Sequence, residues 1–510
     1  SLVKVGTNLV AKLQVLILSE ESPVPGDTVN RGRKGTISSR VAGTPFNVEI
    51  RRVDSCWNLV TEDNPSVWIT SNDPYRVSLA TATLTNGTTT WSVILVTAGS
   101  GRKIYVDRTG YIGDYSTEFT LEENQVKCLQ ILLQGEVLKE GNIANRGRDS
   151  SGIVNPQTAG IAFPVTVNRV DSCWNLISEN VLGVEVTSDD IYGEPSNTTP
   201  RYVDLTNGTS TFYVLMRKAQ NIRLHVAKAT YTGDDSTQIT IAPNTAIKKL
   251  QVLIDGENPE PGDIANNGKN GQPITPQAGQ SFNVAVRSVD NCWNLTNKTP
   301  WVRLTSDDPK ADNPLVSDFQ LVGGTKVVSV TLKQSTTTGW KITATATDYQ
   351  DGVSSLVKVD PVGGDHMVVS ISSGVTAGVA ENIAVEVLDR YNNRATGYTG
   401  RIRFESNDSH STLPGDYTFT TGAGGDNGYK VLYSTVVLRS QGVWYVKAYD
   451  VDYSTITGQK NVTVNPNSAK KLLVLLPGEV RDAGSDPQGT GKKSGYPPLD
   501  WTAGVSTGVV

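Results

Sequence analysis

Val53-Asp54-Ser55-Cys56-Trp57-Asn58-Leu59 decides how this chain is read. It returns as Val170-Asp171-Ser172-Cys173-Trp174-Asn175-Leu176, and again as Val289-Asp290-Asn291-Cys292-Trp293-Asn294-Leu295. A looser copy is Leu388-Asp389-Arg390-Tyr391-Asn392-Asn393. The motif's Asp stands at 54, 171, 290 and 389, so each interval has the length of one small domain.

The surrounding sequence repeats with it. Before the motif, Phe46, Val48 and Ile50 alternate with Asn47, Glu49 and Arg51, the period of a half-buried strand. Phe163, Val165 and Val167, then Phe282, Val284 and Val286, repeat that pattern. Each of the first three repeats opens on a short apolar strand, KLQVLI, CLQILL or KLQVLI, and in the first Leu13, Val15 and Ile17 alternate with Lys12, Gln14 and Leu16, again the period of a half-buried strand. A long loop follows, rich in Gly, Pro and charge. After the motif, Asn86-Gly87, Asn207-Gly208 and Gly323-Gly324 mark tight hairpins, because both turn residues need positive φ. No stretch keeps a helical period. The expected fold is all-β: tandem immunoglobulin-like β-sandwiches in an extended rod, with junctions too short to swivel freely.

The expected boundaries follow. Residues 1–9 are the last strand of a preceding unit, since SLVKV recurs at Ser355–Val359. Residues 10–124, 125–244, 245–363 and 364–467 are four repeats, the fourth with a short first loop. Residues 468–510 begin a fifth unit, with KLLVLL as its first strand.

Composition narrows the function. The chain has 510 residues and a net charge of −5, without the basic excess that a nucleic-acid partner requires. No apolar run is long enough to span a bilayer, and no signal peptide is visible. The three His have no repeat equivalents among one another, and no repeated acid pair, nucleophile–base set or nucleotide loop occurs. The segment is therefore expected not to be an enzyme.

The fourth repeat resembles the bacterial Ig-like repeats of large secreted and surface proteins. Its Asp389, Tyr391 and Asn393 match their D-x-Y-G-N turn, with Asn392 in place of the Gly. Repeats one to three are similar to the D-x-x-W-N variant of that group. The Cys within the motif departs from the pattern. The resemblance implies an extracellular or cell-surface location and a structural role in a fibre or filament, with copies of the chain as partners. Its alternatives are the stalk of an adhesin for a glycan or host protein, and the accessory stalk of a secreted hydrolase.

Three sets of residues are candidates for more than packing. Asp54, Asn58 and Asp73 recur as Asp171, Asn175 and Asp190; as Asp290, Asn294 and Asp308; and as Asp389, Asn393 and Asp408. Hard oxygen ligands of this kind suit calcium. The same residues suit Asx-turn capping, the preferred reading, in which Asp accepts the backbone N–H two residues on. No cofactor other than calcium is implied. Cys128 could bridge Cys173 within its own repeat or Cys56 in its neighbour, and Cys56 and Cys292 are candidates for inter-chain bridges; buried reduced thiols acting as small hydrophobes are the preferred reading. Trp57, Trp174 and Trp293 are packing residues or a stacking surface. The charged first loop, with Arg31, Arg33, Arg146, Arg148 and Lys269, is either solvated or reaches an adjacent domain or chain.

Overall fold

The computed structural model describes residues 11–76, 81–149, 154–475 and 479–484, and the backbone of Lys493–Ser494. These residues are almost entirely strands and turns. The one helical turn among them is a short 3-10 segment at Ile143–Asn145. No described helix is long and apolar enough to cross a membrane.

Repeat one shows why the alternating segments form sheets. Phe46–Val53 pairs antiparallel with Lys12–Ile17 on one side and Thr88–Val93 on the other. A second sheet runs in the order Asp114–Tyr115, Ile104–Asp107, Ser66–Ser71, Thr81–Thr83. Val48 and Ile50 from the first sheet share one buried cluster with Val67, Ile69 and Ile104 from the second. Burying such side chains against one another contributes about 1.5–3 kcal/mol each, which sets the pairing register. The Asn86-Gly87 turn has φ of 51° and 77°, and the Asn207-Gly208 turn 50° and 77°, the positive pair that a two-residue hairpin requires.

Repeats two and three repeat this plan, on Phe163–Val170 and Ser281–Val289. Repeat four pairs Ala380–Leu388 with His366–Ser370 and Tyr429–Val437, but gathers its other strands into one five-stranded sheet. The fold is thus all-β and built of immunoglobulin-like sandwiches. Each of the four has its own buried apolar cluster.

The chain divides into two compact units. One is Ser1–Ile247 with Glu260–Gly268 and Asp290–Thr296; the other is Lys248–Pro259, Lys269–Val289 and Asn297–Val510. The motif turn of repeat three and the tip of its first loop are therefore counted with repeats one and two.

Two expectations change here. The opening strand does not simply alternate: Gln14 and Leu16 are as buried as Leu13, Val15 and Ile17. The first loop covers its outer face, and Gln14 Nε2 donates to the carbonyls of Arg31 and Gly32 at 3.0 and 2.8 Å. The expected strand KLLVLL of a fifth unit is irregular over residues 471–475, and Leu472 is fully exposed. No described strand pairs with it, and a lone strand leaves its backbone to water. Val480–Arg481 does pair with Lys493–Ser494, as the loop strands of repeats one and three do. The expected strand at residues 1–9 lies outside the described residues.

Candidate functional site: the junction between repeats

The motif turn sits where one repeat meets the next. In repeat two, Asp171 Oδ1 accepts the backbone N–H groups of Cys173 and Asn175 at 2.8 and 2.9 Å. Its Oδ2 accepts Asn175 Nδ2 at 2.9 Å and the N–H of Asn124, in the linker from repeat one, at 3.0 Å. One buried carboxylate thus caps its own turn and ties the incoming chain to it. Four N–H donors replace the water that burial removes.

Asn175 then crosses to repeat one. Its Oδ1 accepts the N–H of Ala98 at 2.9 Å, and its Nδ2 donates to the Val96 carbonyl at 2.9 Å. The segment it grips is held from the other side by Asp73, whose Oδ2 accepts the N–H groups of Val96 and Thr97 at 2.6 and 3.0 Å. The side chain of Cys173 fills the remaining gap. It joins the buried cluster of repeat one, and a Cβ on Gly43 would lie 2.9 Å from its sulfur. Glycine is required there by close approach as well as by its φ of 78°.

The same arrangement recurs twice. Between repeats two and three, Asp290 Oδ2 accepts the Asn244 N–H at 2.9 Å, and Asn294 bonds Ala219 N and Arg217 O, both at 2.8 Å. Asp190 holds Arg217 and Lys218, and Cys292 sits against Gly160. Between repeats three and four, Asp389 Oδ2 accepts Val362 N at 3.1 Å, and Asn393 bonds Ser335 N and Lys333 O at 3.1 and 2.8 Å. Asp308 holds Lys333 and Gln334, and the Tyr391 phenol takes the place of the Cys side chain against Gly279.

Sequence reasoning grouped Asp54, Asn58 and Asp73 within one repeat. Asp73 is instead brought to Asn175 of the next repeat, as Asp190 is to Asn294 and Asp308 to Asn393. The carboxylates at 54, 171 and 290 accept N–H donors within the turn, the geometry of Asx capping.

The candidate Cys128–Cys173 disulfide is not formed; both thiols are free and buried. Cys173 points into repeat one, whereas Cys128 lies on its own opening strand opposite Val170. Burial raises both thiols, Cys173 to about 11 with the Asp171 charge adding to it. Cys292 is also corrected: it is buried against Gly160, out of reach of a second chain. Cys56 is exposed.

The Trp of the motif is a packing residue with a particular task. Trp57, Trp174 and Trp293 have φ of 65°, 67° and 65°, a region unfavourable for so bulky a side chain. Each lies against a glycine of its own first loop, Gly32, Gly147 or Gly268, where a Cβ would collide with the Trp side chain. Repeat four lacks the long loop and has Asn392 at φ 58° instead.

The loop charges turn back onto their own repeat. Arg31 and Arg33 pair with Asp114, and Arg146 and Arg148 with Asp234. In repeat three, Gly352 stands in the place of that Asp, and Lys269 pairs with Glu257 at 3.1 Å. Burial lowers the Arg33 pKa to about 10, with Glu21 opposing the shift. The loop tip does reach the neighbouring repeat: Gly141 lies on Thr97, and Gly262 on Tyr192 and Lys218. Burial, and then Glu260, raise the Tyr192 phenol to about 12. The equivalent Lys310 donates to the Tyr391 and Asn392 carbonyls at 2.8 and 3.1 Å. Position alone could not mark these latch residues in the sequence, since their type changes at every junction.

No protein-family model matches the sequence, and no curated protein does. Among solved structures, the chain is similar to the Escherichia coli adhesin FdeC, at 14% identity, covering 61% of this chain and 94% of that one, with a TM-score of 0.24. It is similar to a tetra-tandem repeat from the extending region of a large adhesion protein, at 13% identity, covering 89% and 99%, with a TM-score of 0.19. E. coli alpha-2-macroglobulin matches at 9% identity, covering 92% and 34%, with a TM-score of 0.23. These proteins differ in function and every TM-score is below 0.5, so the likeness carries no functional argument.

Proposed function

We propose that this chain is a non-catalytic structural segment of an extracellular bacterial fibre, in which tandem Ig-like sandwiches pass tension from one to the next. The observation that carries this reading is the junction, built at three places by equivalent donors and acceptors around the motif Asp and Asn. A linker tied at both ends resists hinge motion, and such a constraint serves a stiff spacer better than a freely jointed string. The bacterial, surface setting rests on the resemblance of the D-x-x-W-N and D-x-Y-G-N turns.

Small-angle X-ray scattering of the full chain tests it. The wild type should scatter as a stiff, elongated particle. The triple variant N175A/N294A/N393A should be more flexible at unchanged strand content by circular dichroism. A wild type that scatters as a freely jointed chain, indistinguishable from the triple variant, would end this reading.

A further inference from the structure

Repeats one and two each hold a cleft between the first loop and the body of the sandwich. In repeat one it has a volume of about 340 Å³, and its polar side chains are Glu21, Asn30, Arg31, Arg33, Lys34 and Thr117. Its walls are fixed. Glu21 Oε2 accepts the Ile17 N–H at 2.7 Å, and its Oε1 accepts the Thr117 hydroxyl at 2.6 Å. Arg33 is buried on Asp114. Arg31 pairs with the same carboxylate, yet its side chain stays 31% exposed and stacks on Tyr115, 3.7 Å from the ring centroid. A guanidinium held in this way presents its remaining N–H groups with little further ordering cost. Lys34 is exposed beside it.

The equivalent cleft of repeat two, about 320 Å³, keeps Glu136, Asn145, Arg146, Arg148 and Thr237. The charges around that frame differ. Asp149 stands in the place of Lys34, and Asp235 in the place of Tyr115. In the first cleft Arg31, Arg33 and Lys34 face Glu21 and Asp114, an excess of one positive charge. In the second Arg146, Arg148 and Arg223 face Glu136, Asp149, Asp234 and Asp235, an excess of one negative charge. Repeat three has Asn267, Lys269, Asn270 and Gly352 where repeat one has Arg31, Arg33, Lys34 and Asp114. Burial, and then the charges of Arg31 and Arg33, lower the pKa of the nearby Lys12, which marks a locally positive field.

We infer that the repeat-one cleft binds one uronic-acid residue of an acidic polysaccharide. The sugar carboxylate lies between Arg31 and Lys34, where the planar guanidinium matches its two oxygens. Its hydroxyls bond Glu21, Asn30 and Thr117. The mixed lining selects this ligand. A bare anion, or the acidic side chains of a peptide, would use the cations but bring more negative charge against Glu21. A sugar ring brings hydroxyls that donate to Glu21 and accept from Asn30. The volume suits a small ligand. This site goes beyond the structural reading above and does not depend on it, since a cleft serves a stiff rod and a flexible one alike.

Isothermal titration calorimetry on the full chain at low ionic strength tests it, with trigalacturonate as the probe. Binding should saturate at one site per chain. Maltotriose, a neutral trimer, should not bind, and triglutamate and inorganic sulfate should bind at least about tenfold more weakly than trigalacturonate. Lys34→Glu reverses an exposed charge, and Arg31→Gln removes one guanidinium while Arg33 keeps its pair with Asp114. Each variant should weaken trigalacturonate binding about tenfold or more. No binding of trigalacturonate, equal binding of maltotriose, triglutamate or sulfate, or unweakened binding by either variant would overturn the inference. Each of these results leaves the scattering test of stiffness untouched, so the two readings fail separately.

Discussion

The junction into repeat two and the junction into repeat four use one hydrogen-bond frame with different side chains inside it. Asp171 and Asp389 each accept two turn N–H groups, the following Asn and one linker N–H. Asn175 and Asn393 make matching bonds to the preceding repeat. Yet the plug is Cys173 in one and Tyr391 in the other, and the left-handed residue is Trp174 in one and Asn392 in the other. The frame is fixed because buried backbone groups must be satisfied. The plug varies because it has only to fill a volume. Trp appears only where a long first loop needs an anchor.

The largest effect should come from breaking the frame itself. Asp171→Ala removes the acceptor of four donors and leaves them in a dry site, which costs about 3 kcal/mol or more. Denaturant unfolding should show repeat two destabilised, and limited proteolysis should cut near Asn124. Cys173→Ala, which changes only the plug, should cost about 1 kcal/mol. Equal effects from the two variants would sink the distinction between frame and plug.

The Trp comparison inverts an ordinary order. Trp174→Ala loses half-buried packing on Gly147, worth about 2 kcal/mol. It keeps a β-carbon at φ 67°. Trp174→Gly loses the same packing but relieves roughly 1 kcal/mol of left-handed strain. Thermal unfolding should therefore rank Gly above Ala at this position. Asn392→Gly, where there is no loop to anchor, should be neutral or slightly stabilising. A Gly variant less stable than the Ala variant would show that the Trp is not strained.

Much of this was open to reading from the residues. Alternation in PFNVEI and its copies marked the central strands, Asn86-Gly87 marked the hairpin, and recurrence of D-x-C-W-N marked the turn. The pairing of Asp73 with Asn175 was not readable. Periodicity shows which residues are equivalent, and Asn58 and Asn175 are equivalent. It cannot say whether Asp73 meets the copy in its own repeat or the next. The candidate Cys128–Cys173 bridge, weighed beside buried reduced thiols, falls for a related reason: sequence position put Cys173 near its own strand, while the turn aims its sulfur at the neighbour. The burial of Gln14 and Leu16 depended on a loop whose return path has no periodic signature.

Acid should weaken repeat four at Asp408. Burial of Asp408 opposes its charge, but the N–H groups of Arg439, Ser440 and His410 and the Ser440 hydroxyl outweigh it and lower its pKa. A carboxylate lowered on folding stabilises in full above its unfolded value, about pH 4, and that contribution is lost as pH falls through the folded value. Repeat four should lose part of its stability below about pH 4. Asp408→Asn, which cannot titrate, should flatten that part of the profile in an unfolding series from pH 5 to 2.

The smallest effect falls near neutrality, in repeat two. His225 Nδ1 lies 2.7 Å from Asp235 Oδ1, and Nε2 lies 3.1 Å from Asp189 Oδ1. Partial burial works against protonation, yet hydrogen bonds to the two carboxylates outweigh it and raise the His225 pKa. The sign is opposite to that of Asp408. A raised histidine stabilises in full below its unfolded pKa of about 6.5, and the contribution disappears as pH rises through the folded value. Repeat one has Tyr105 at this place in its strand, and repeat three has Thr343. Repeat two should therefore lose a little stability between about pH 6.5 and 8, while its neighbours hold theirs. The imidazole and both carboxylates are well exposed, so solvent screens the pair and the shift stays small. Histidine titration by NMR gives the folded value directly, and His225→Gln should abolish the slope. A slope that survives this substitution would place the titrating group elsewhere.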